Sequence, residues 1–170
     1  FYLNAGSTRQ KGMEATVNYQ PLIKVNGWIK SILLNVNCNY IHARFAHYQQ
    51  GITKYDGNKI TGTTPYGLSA NADFVFSNDI YFNCTYSYTG KIPLNDANTV
   101  FAPSYNLLIA KLGYKFTIAN TDTDFFLAIN QSMNNPYGLG NDLNAAAKRY
   151  FNPSAPWMLN AGLKMKIGLE

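Results

Sequence analysis

The sequence predicts an all-β protein, an antiparallel up-and-down meander of seven to eight strands that is part of a larger transmembrane β-barrel. Apolar and polar residues alternate with period 2, and the connections between these segments are alternately short and long. Aromatic residues make up 15% of the chain and charged residues only 14%, against roughly 25% charged in a soluble domain. A transmembrane barrel spends only every second residue on lipid, so a mean hydropathy of -0.20 is compatible with it.

Seven segments alternate in this way, at 8–19, 28–41, 66–76, 80–88, 105–116, 125–130 and 157–167, and an eighth strand is truncated at the start of the chain. Successive side chains of a strand point to opposite faces, so each segment has one apolar face. The last segment is the clearest example. We expect the apolar set to face lipid; it contains Met13, Val17, Leu34, Val36, Leu68, Phe74, Phe82, Tyr86, Leu108, Leu112, Trp157, Leu159 and Leu163.

The opposite faces carry small or polar residues. Asn35, Asn37 and Asn39 recur at a spacing of two. In a dry core each amide would need several buried hydrogen-bond partners, so these residues favour a wet or polar lumen. The residues predicted to face the lumen are Glu14, Asn35, Asn37, Asn39, Asn71 and Asp73.

The connections support the same architecture. Short turns are predicted at 20–26, 77–79 and 117–124, and long loops at 42–65, 89–104 and 131–156. Tight turns on one edge and extended loops on the other are typical of outer-membrane barrels. Aromatic residues near the strand ends are expected to form girdles at the two interfaces; they are Tyr19, Trp28, Tyr40, Tyr66, Phe76, Tyr88, Phe116 and Trp157.

The cysteines, histidines and charged residues form no pattern typical of a catalytic or metal site. Cys38 and Cys84 are predicted to be free thiols, because an intervening strand separates them by roughly 9 to 10 Å. His42 and His47, placed with Arg44 in one long loop, lack a matched acidic or Cys partner, so no metal site is predicted. The net charge of +5 is scattered without a basic stripe, which argues against nucleic acid as a partner. No catalytic residue and no cofactor are predicted.

Several stretches resemble TonB-dependent outer-membrane receptors, in the same order along the chain. Residues 4–14 read NAGSTRQKGME and resemble the family pattern N-A-G-x-[ST]-x-x-x-G-hydrophobic-E before a barrel strand. GTTP at 62–65 resembles a loop-to-strand entry, and LGYKF at 112–116 resembles the family's L-G-Y-[KR]-F strand. RYFNPSAPW at 149–157 and AGLKMKI at 161–167 are similar to the closing hairpin, with Ile167 where members usually end in an aromatic residue.

The resemblance implies a segment of an active transporter in the cell outer membrane. Its partners would be the lipid bilayer, its own plug domain and the TonB complex, the last two through parts outside this chain, and the lumen-facing residues would also contact the plug. The ligand would be scarce, such as a ferric siderophore, vitamin or glycan, and its identity is not readable from the sequence. Residues 1–168 would be the C-terminal part of the barrel, and 169–170 vector-derived tag residues. The ligand-contact candidates in the long loops are Arg44, His47, Tyr48, Lys54, Tyr55, Lys91, Arg149 and Tyr150.

The sequence is also compatible with a second architecture. Eight strands can close on themselves, and the chain would then be a complete small barrel that binds a ligand or anchors in the outer membrane. As an open sheet, by contrast, the isolated fragment is expected to self-associate along its edges.

Overall fold

A computed structural model describes residues 6–21, 27–133 and 138–166. The elements are β1 (Ser7–Tyr19), β2 (Ile29–His47), β3 (Gln49–Gln50), β4 (Thr53–Lys54), β5 (Tyr66–Phe76), β6 (Ile80–Thr89), β7 (Ile92–Pro93), β8 (Phe101–Ala102), β9 (Tyr105–Ile118), β10 (Thr121–Ser132), β11 (Gly138–Asn141), a short 3₁₀ turn (Ala146–Lys148), β12 (Phe151–Pro153) and β13 (Trp157–Lys166). The seven long strands form one antiparallel sheet in the order β1-β2-β5-β6-β9-β10-β13. The predicted up-and-down meander is therefore confirmed.

The register of the sheet keeps the two kinds of side chain on separate faces. Leu34 pairs with Ala72, and the row continues through Cys84, Ala110 and Ile129 to β13. A one-residue slip would move every apolar side chain to the other face, so this register conserves the predicted period-2 pattern across all seven strands. We call these the apolar face, which carries Leu34, and the polar face, which carries Asn35.

The sheet is open in the part of the chain that the structure describes. There β1 pairs only with β2, and β13 pairs only with β10. A complete small barrel requires pairing between its first and last strands, which these two edges do not make. The predicted eighth strand at the start, Ile167, and the predicted tag at 169–170 lie outside the described residues.

Two predicted connections differ from those observed. Strand β2 continues to His47, so the prediction that His42, Arg44 and His47 lie in a loop is wrong. Their alternation was hidden because charged and aromatic side chains replace the apolar ones there. The predicted turn 117–124 is also too long, because β9 and β10 leave only Ala119 and Asn120 between them. Both have positive φ, 47° and 61°, which a two-residue hairpin turn requires.

The long loops contain structure that the sequence did not reveal. Each holds a small two-stranded hairpin, β3–β4, β7–β8 or β11–β12. Strands of two to four residues are too short to show periodicity. The short 3₁₀ turn follows β11, and within the described ranges no helix is long and apolar enough to cross a membrane.

Aromatic side chains cluster near both ends of the apolar face. Tyr40 stacks on Tyr66 at the loop end, and Trp28 stacks on Phe76 at the turn end, with ring centroids 5.4 Å apart in each pair. Tyr66 and Phe76 are the first and last residues of β5. A rise of about 3.3 Å per residue and a tilt of about 40° place these bands roughly 25 Å apart, which is the height of the apolar band of an outer-membrane barrel.

Candidate ligand-binding loops and polar face

The long loops pack into one assembly beyond the loop end of the sheet. Leu94 is fully buried, and Ala102 and Tyr150 are only 6% and 8% exposed. Leu94 and Ala102 come from the loop 90–104, whereas Tyr150 comes from the loop before β13. Ile92, Val100 and Ala145 pack around this cluster. The two loops therefore share a small hydrophobic core.

A buried carboxylate connects this core to the remaining long loop. Asp96 is 8% exposed, and its Oδ2 accepts hydrogen bonds from the Tyr48 hydroxyl at 3.1 Å and from Asn144 Nδ2 at 3.0 Å. The Thr61 hydroxyl donates to its Oδ1. The backbone carbonyl of Asp96 accepts from Asn58 Nδ2 at 2.8 Å. Asp96 therefore binds donors from the loops on either side of its own loop, which satisfies its buried charge.

Reciprocal hydrogen bonds reinforce the same contact. The Lys59 backbone N–H donates to Asn98 Oδ1 at 2.7 Å, and Asn98 Nδ2 donates to the Lys59 carbonyl at 3.0 Å. Asn98 adopts φ 54°, a left-handed conformation that asparagine tolerates well. The Gly62 N–H donates to the Pro93 carbonyl at 2.8 Å. The three loops therefore form a single hydrogen-bonded unit, which we call the loop assembly.

Tyr48 contacts both a cluster of tilted aromatic rings and the buried carboxylate. Its ring centroid is 4.6 Å from that of Phe45 and 5.4 Å from that of Tyr55. Burial, and after it the hydrogen bond to Asp96, raises the pKa of the Tyr48 phenol above its usual value of 10.0. The phenol therefore keeps its proton, and donates its hydrogen bond to Asp96, over the whole physiological pH range.

The other predicted ligand-contact residues are placed in different environments. Arg44 donates from Nε to His42 Nε2 at 3.0 Å and from Nη1 to the Gly57 carbonyl. The side chain of His47 is 86% exposed, and its Nδ1 lies 3.8 Å from an Asp56 carboxylate oxygen. Tyr150 is buried in the loop core. Lys54, Lys91 and Arg149 are exposed.

Asparagines on the polar face form a continuous hydrogen-bond ladder. The Thr16 hydroxyl donates to Asn37 Oδ1 at 2.8 Å, Asn37 Nδ2 donates to Asn35, and Asn35 Nδ2 donates to Asn18. Asn71 Nδ2 donates in turn to Asn35 Oδ1 at 3.3 Å. The amides at a spacing of two thus pair with one another across three neighbouring strands.

The remaining predicted lumen residues lie on this same face. Asn83 Nδ2 donates to Asp73 Oδ1 at 2.7 Å. Glu14 pairs in register with Asn39. The Asn39 side chain lies over Gly67: a Cβ added at Gly67 would be 2.1 Å from Asn39 Oδ1. All six predicted residues therefore share one face of the sheet.

Aromatic rings and lysines occupy the other half of the polar face. The Tyr81 ring lies over Gly113, and the Phe126 ring lies over Gly162, in positions that a Cβ would fill. Lys111 Nζ is 4.1 Å from the Phe126 ring centroid and 5.3 Å from that of Tyr81. These contacts fit the cross-strand packing by which an aromatic ring compensates for a glycine.

Sequence reasoning missed the residues that organise the loops. Asp96, Asn58, Asn98 and Asn144 were not singled out, because polar residues are ordinary in loops. One available signal was Leu94, an apolar residue within a polar stretch. Among the residues that the structure describes, no three His, Cys, Asp or Glu side chains are grouped so that they could hold a metal ion.

Comparison with known families identifies the architecture. The family described as "TonB dependent receptor-like, beta-barrel" matches residues 1–135, which is most of the chain. This family comprises outer-membrane barrel domains of transporters, so the open meander corresponds to a segment of a barrel wall. The chain belongs to the TonB-dependent receptor β-barrel family.

Proposed function

We propose that this chain is part of an active transporter in the outer membrane of a Gram-negative cell, which imports a scarce ligand such as a ferric siderophore. Its plug domain would lie within the barrel and the TonB complex would supply energy. The observation that carries the proposal is the sheet itself, whose apolar and polar faces stay separate across seven strands. An extended apolar face of this kind is unfavourable in water and favourable against lipid.

The polar face is suited to contact with the plug or with lumen water. Glu14 is exposed, and Asn35 and Asn71 remain partly exposed within the amide ladder. Amide groups can both donate and accept, so they can exchange partners with a moving polar surface. We assign Glu14, Asn35, Asn37, Asn39, Asn71 and Asp73 to this contact.

The loop assembly is suited to binding an anionic ligand. His47, Lys54, Lys91 and Arg149 expose cationic or titratable groups around it. Tyr48 and Tyr55 add a pair of aromatic rings, tilted by 39° with centroids 5.4 Å apart. Cations and aromatic rings together bind a negatively charged chelate through charge and stacking. Arg44 and Tyr150 would support this surface through their contacts with the loops.

Uptake by the full-length receptor tests the proposal. A strain lacking the receptor would be complemented with it and grown on single iron, cobalamin or glycan sources, with and without functional TonB. We expect TonB-dependent growth on one source. The double variant Lys91→Gln, Arg149→Gln should weaken ligand binding by roughly 2- to 5-fold per charge removed. A matched control is Lys30→Gln, because Lys30 pairs with Asp79 near the turn end of the sheet. Growth that is independent of TonB on every source would overturn the proposal.

A further inference from the structure

Charged side chains are concentrated on the polar face at the turn end of β9, β10 and β13. Asp124 and Lys164 pair in register, and each lies two residues from the row that holds Phe126 and Gly162. Since side chains two residues apart on a strand share a face, both belong to the polar face. The members of this row and of the next row toward the turn are Lys115, Asp124 and Lys164, and Thr117, Asp122 and Lys166.

These side chains line an open cleft of about 690 Å³, which we call the turn-end cleft. Both rows border it, and the remainder of its lining is Asp79, Tyr114, Phe116 and Thr123. Sites for small molecules typically measure roughly 300 to 1,000 Å³. The long loops lie at the opposite end of the same strands, across an apolar band roughly 25 Å tall. The turn-end cleft is therefore large enough for a chelate and separate from the loop assembly.

Two carboxylates at the cleft are already held by other groups. Lys30 Nζ lies 2.9 Å from Asp79 Oδ1. The Tyr81 hydroxyl donates a hydrogen bond to Asp124 Oδ1 at 2.8 Å. Both carboxylates therefore have a donor other than the lysines of the two rows.

The lysines of the two rows, by contrast, form no ion pair with a carboxylate among the residues that the structure describes. Lys115, Lys164 and Lys166 are exposed, and Lys115 Nζ lies 5.5 Å from the Tyr81 ring centroid. Each ammonium group has three donors. An anionic group that enters the cleft can therefore bind three cations without first displacing an internal ion pair.

The cleft lies on the half of the polar face that favours anions. Lys111 continues the cations toward the middle of the sheet, with its Nζ 4.1 Å from the Phe126 ring centroid. The asparagine-bearing half has the opposite charge, because its polar face over 10–18, 31–41 and 67–75 carries Glu14 and Asp73 and no lysine or arginine. An anionic ligand is therefore favoured on the side of the sheet formed by β9, β10 and β13.

We propose that the turn-end cleft is a second binding site for the transported ligand, which it takes as an anionic chelate at the turn-end mouth of the lumen. This inference rests on the proposed function, because it requires that a ligand passes along the polar face. Lys115, Lys164 and Lys166 bind the anionic oxygens of the chelate through charge-assisted hydrogen bonds. Asp122 and Asp124, which lie between these lysines in the register, limit the affinity so that the ligand can also leave.

Quenching of a site-specific fluorophore by ferric iron tests the cleft in the full-length receptor in detergent. The label would be attached at Ile118→Cys, with Cys38→Ala and Cys84→Ala, because Ile118 is 58% exposed and adjacent to Thr117 without lining the cleft. The probe would be ferric citrate, an anionic chelate, and the comparison would be the uncharged complex of ferric iron with acetohydroxamate. A second label at Ile52→Cys, a loop position 99% exposed, would report binding at the loops.

We expect ferric citrate to quench the label at 118 saturably and the uncharged complex not to do so. The triple variant Lys115→Gln, Lys164→Gln, Lys166→Gln should weaken this binding by roughly 10- to 100-fold, because each exposed cation contributes roughly 2- to 5-fold. The matched control replaces the same three lysines with arginine, which keeps the charge and should keep the quenching. Any quenching of the label at 52 should be the same in all three proteins.

Equal quenching at 118 by both complexes, or unchanged quenching in the glutamine variant, would overturn the second site. Faster proteolysis of the plug in the glutamine variant, with unchanged quenching, would assign the lysines to a contact with the plug instead. TonB-dependent uptake by cells that express the same variants tests the proposed function separately. Uptake that does not depend on TonB contradicts that function, whereas intact TonB-dependent uptake without lysine-dependent quenching contradicts only the second site.

Discussion

The loop assembly buries its apolar residues, whereas the sheet leaves its apolar face exposed. Among the described residues, the largest fully buried side chains, Leu94 and Pro93, belong to a loop, whereas large side chains of the long strands such as Leu159 and Val17 are more than 60% exposed. The loop assembly resembles a small soluble domain, with an apolar cluster and a buried carboxylate whose hydrogen bonds are satisfied. The sheet depends on its backbone ladder and on an apolar environment supplied from outside. Different solvents therefore stabilise the two regions.

The largest expected effect concerns the isolated chain in plain buffer. Its apolar face and its two edge strands, β1 and β13, would be exposed to water. Unpaired strand edges and extended apolar surface favour association. We expect large particles by light scattering in buffer and small, defined particles in detergent. A stable monomer in buffer would show that the sheet does not require an apolar solvent.

Truncating one leucine in each region should give unequal results. Leu94→Ala should destabilise the loop assembly by about 2 to 5 kcal/mol, because it leaves a cavity in a fully buried cluster. Leu159→Ala, at a position 65% exposed, is the control and should have little effect on the loops. Hydrogen exchange of the full-length receptor in detergent would compare the two. Equal protection of the loops in both variants would contradict the hydrophobic core assigned to them.

Replacing the buried carboxylate should loosen the contacts between the loops. Asp96→Asn puts an amide donor among the hydroxyl and amide donors that now reach Asp96, at a cost of about 1 to 3 kcal/mol. Asp142→Asn changes an exposed aspartate in the same assembly and serves as the control. We expect faster limited proteolysis within 48–65 and 90–104 only for Asp96→Asn. Identical cleavage rates would mean that Asp96 does not connect the loops.

The Tyr48 phenol should give a smaller effect that depends on pH. Because its folded pKa is raised above 10.0, the stability that its proton contributes is complete below pH 10 and is lost as pH rises through the folded value. Tyr48→Phe should cost about 0.5 to 1.5 kcal/mol at neutral pH, from the lost hydrogen bond. It should also remove one alkaline transition from the loop stability profile. An unchanged profile in the variant would assign that transition to another group.

The sequence predicted the sheet much better than it predicted the loops. A strand with one apolar face repeats its pattern many times, as in β13, so the faces and most strand bounds were predictable. The end of β2 was missed because Arg44 and His47 replace apolar residues beyond Tyr40. The partners of Asp96 come from residues 35 to 48 positions away, Thr61, Tyr48 and Asn144 among them. Such contacts depend on how the loops fold together, and no local pattern encodes them.

The orientation of the two faces toward lipid and water can be measured directly at two adjacent residues of β2. Spin labels would be placed at Cys38, with Cys84→Ala, and at Asn37→Cys, with both native cysteines replaced by alanine. Collision with oxygen, which is concentrated in lipid, would be compared with collision with a water-soluble nickel chelate in the reconstituted full-length receptor. We predict that the label at 38 favours oxygen and the label at 37 favours the chelate. The reverse preference, or the same preference at both positions, would contradict a barrel wall with its apolar face toward lipid.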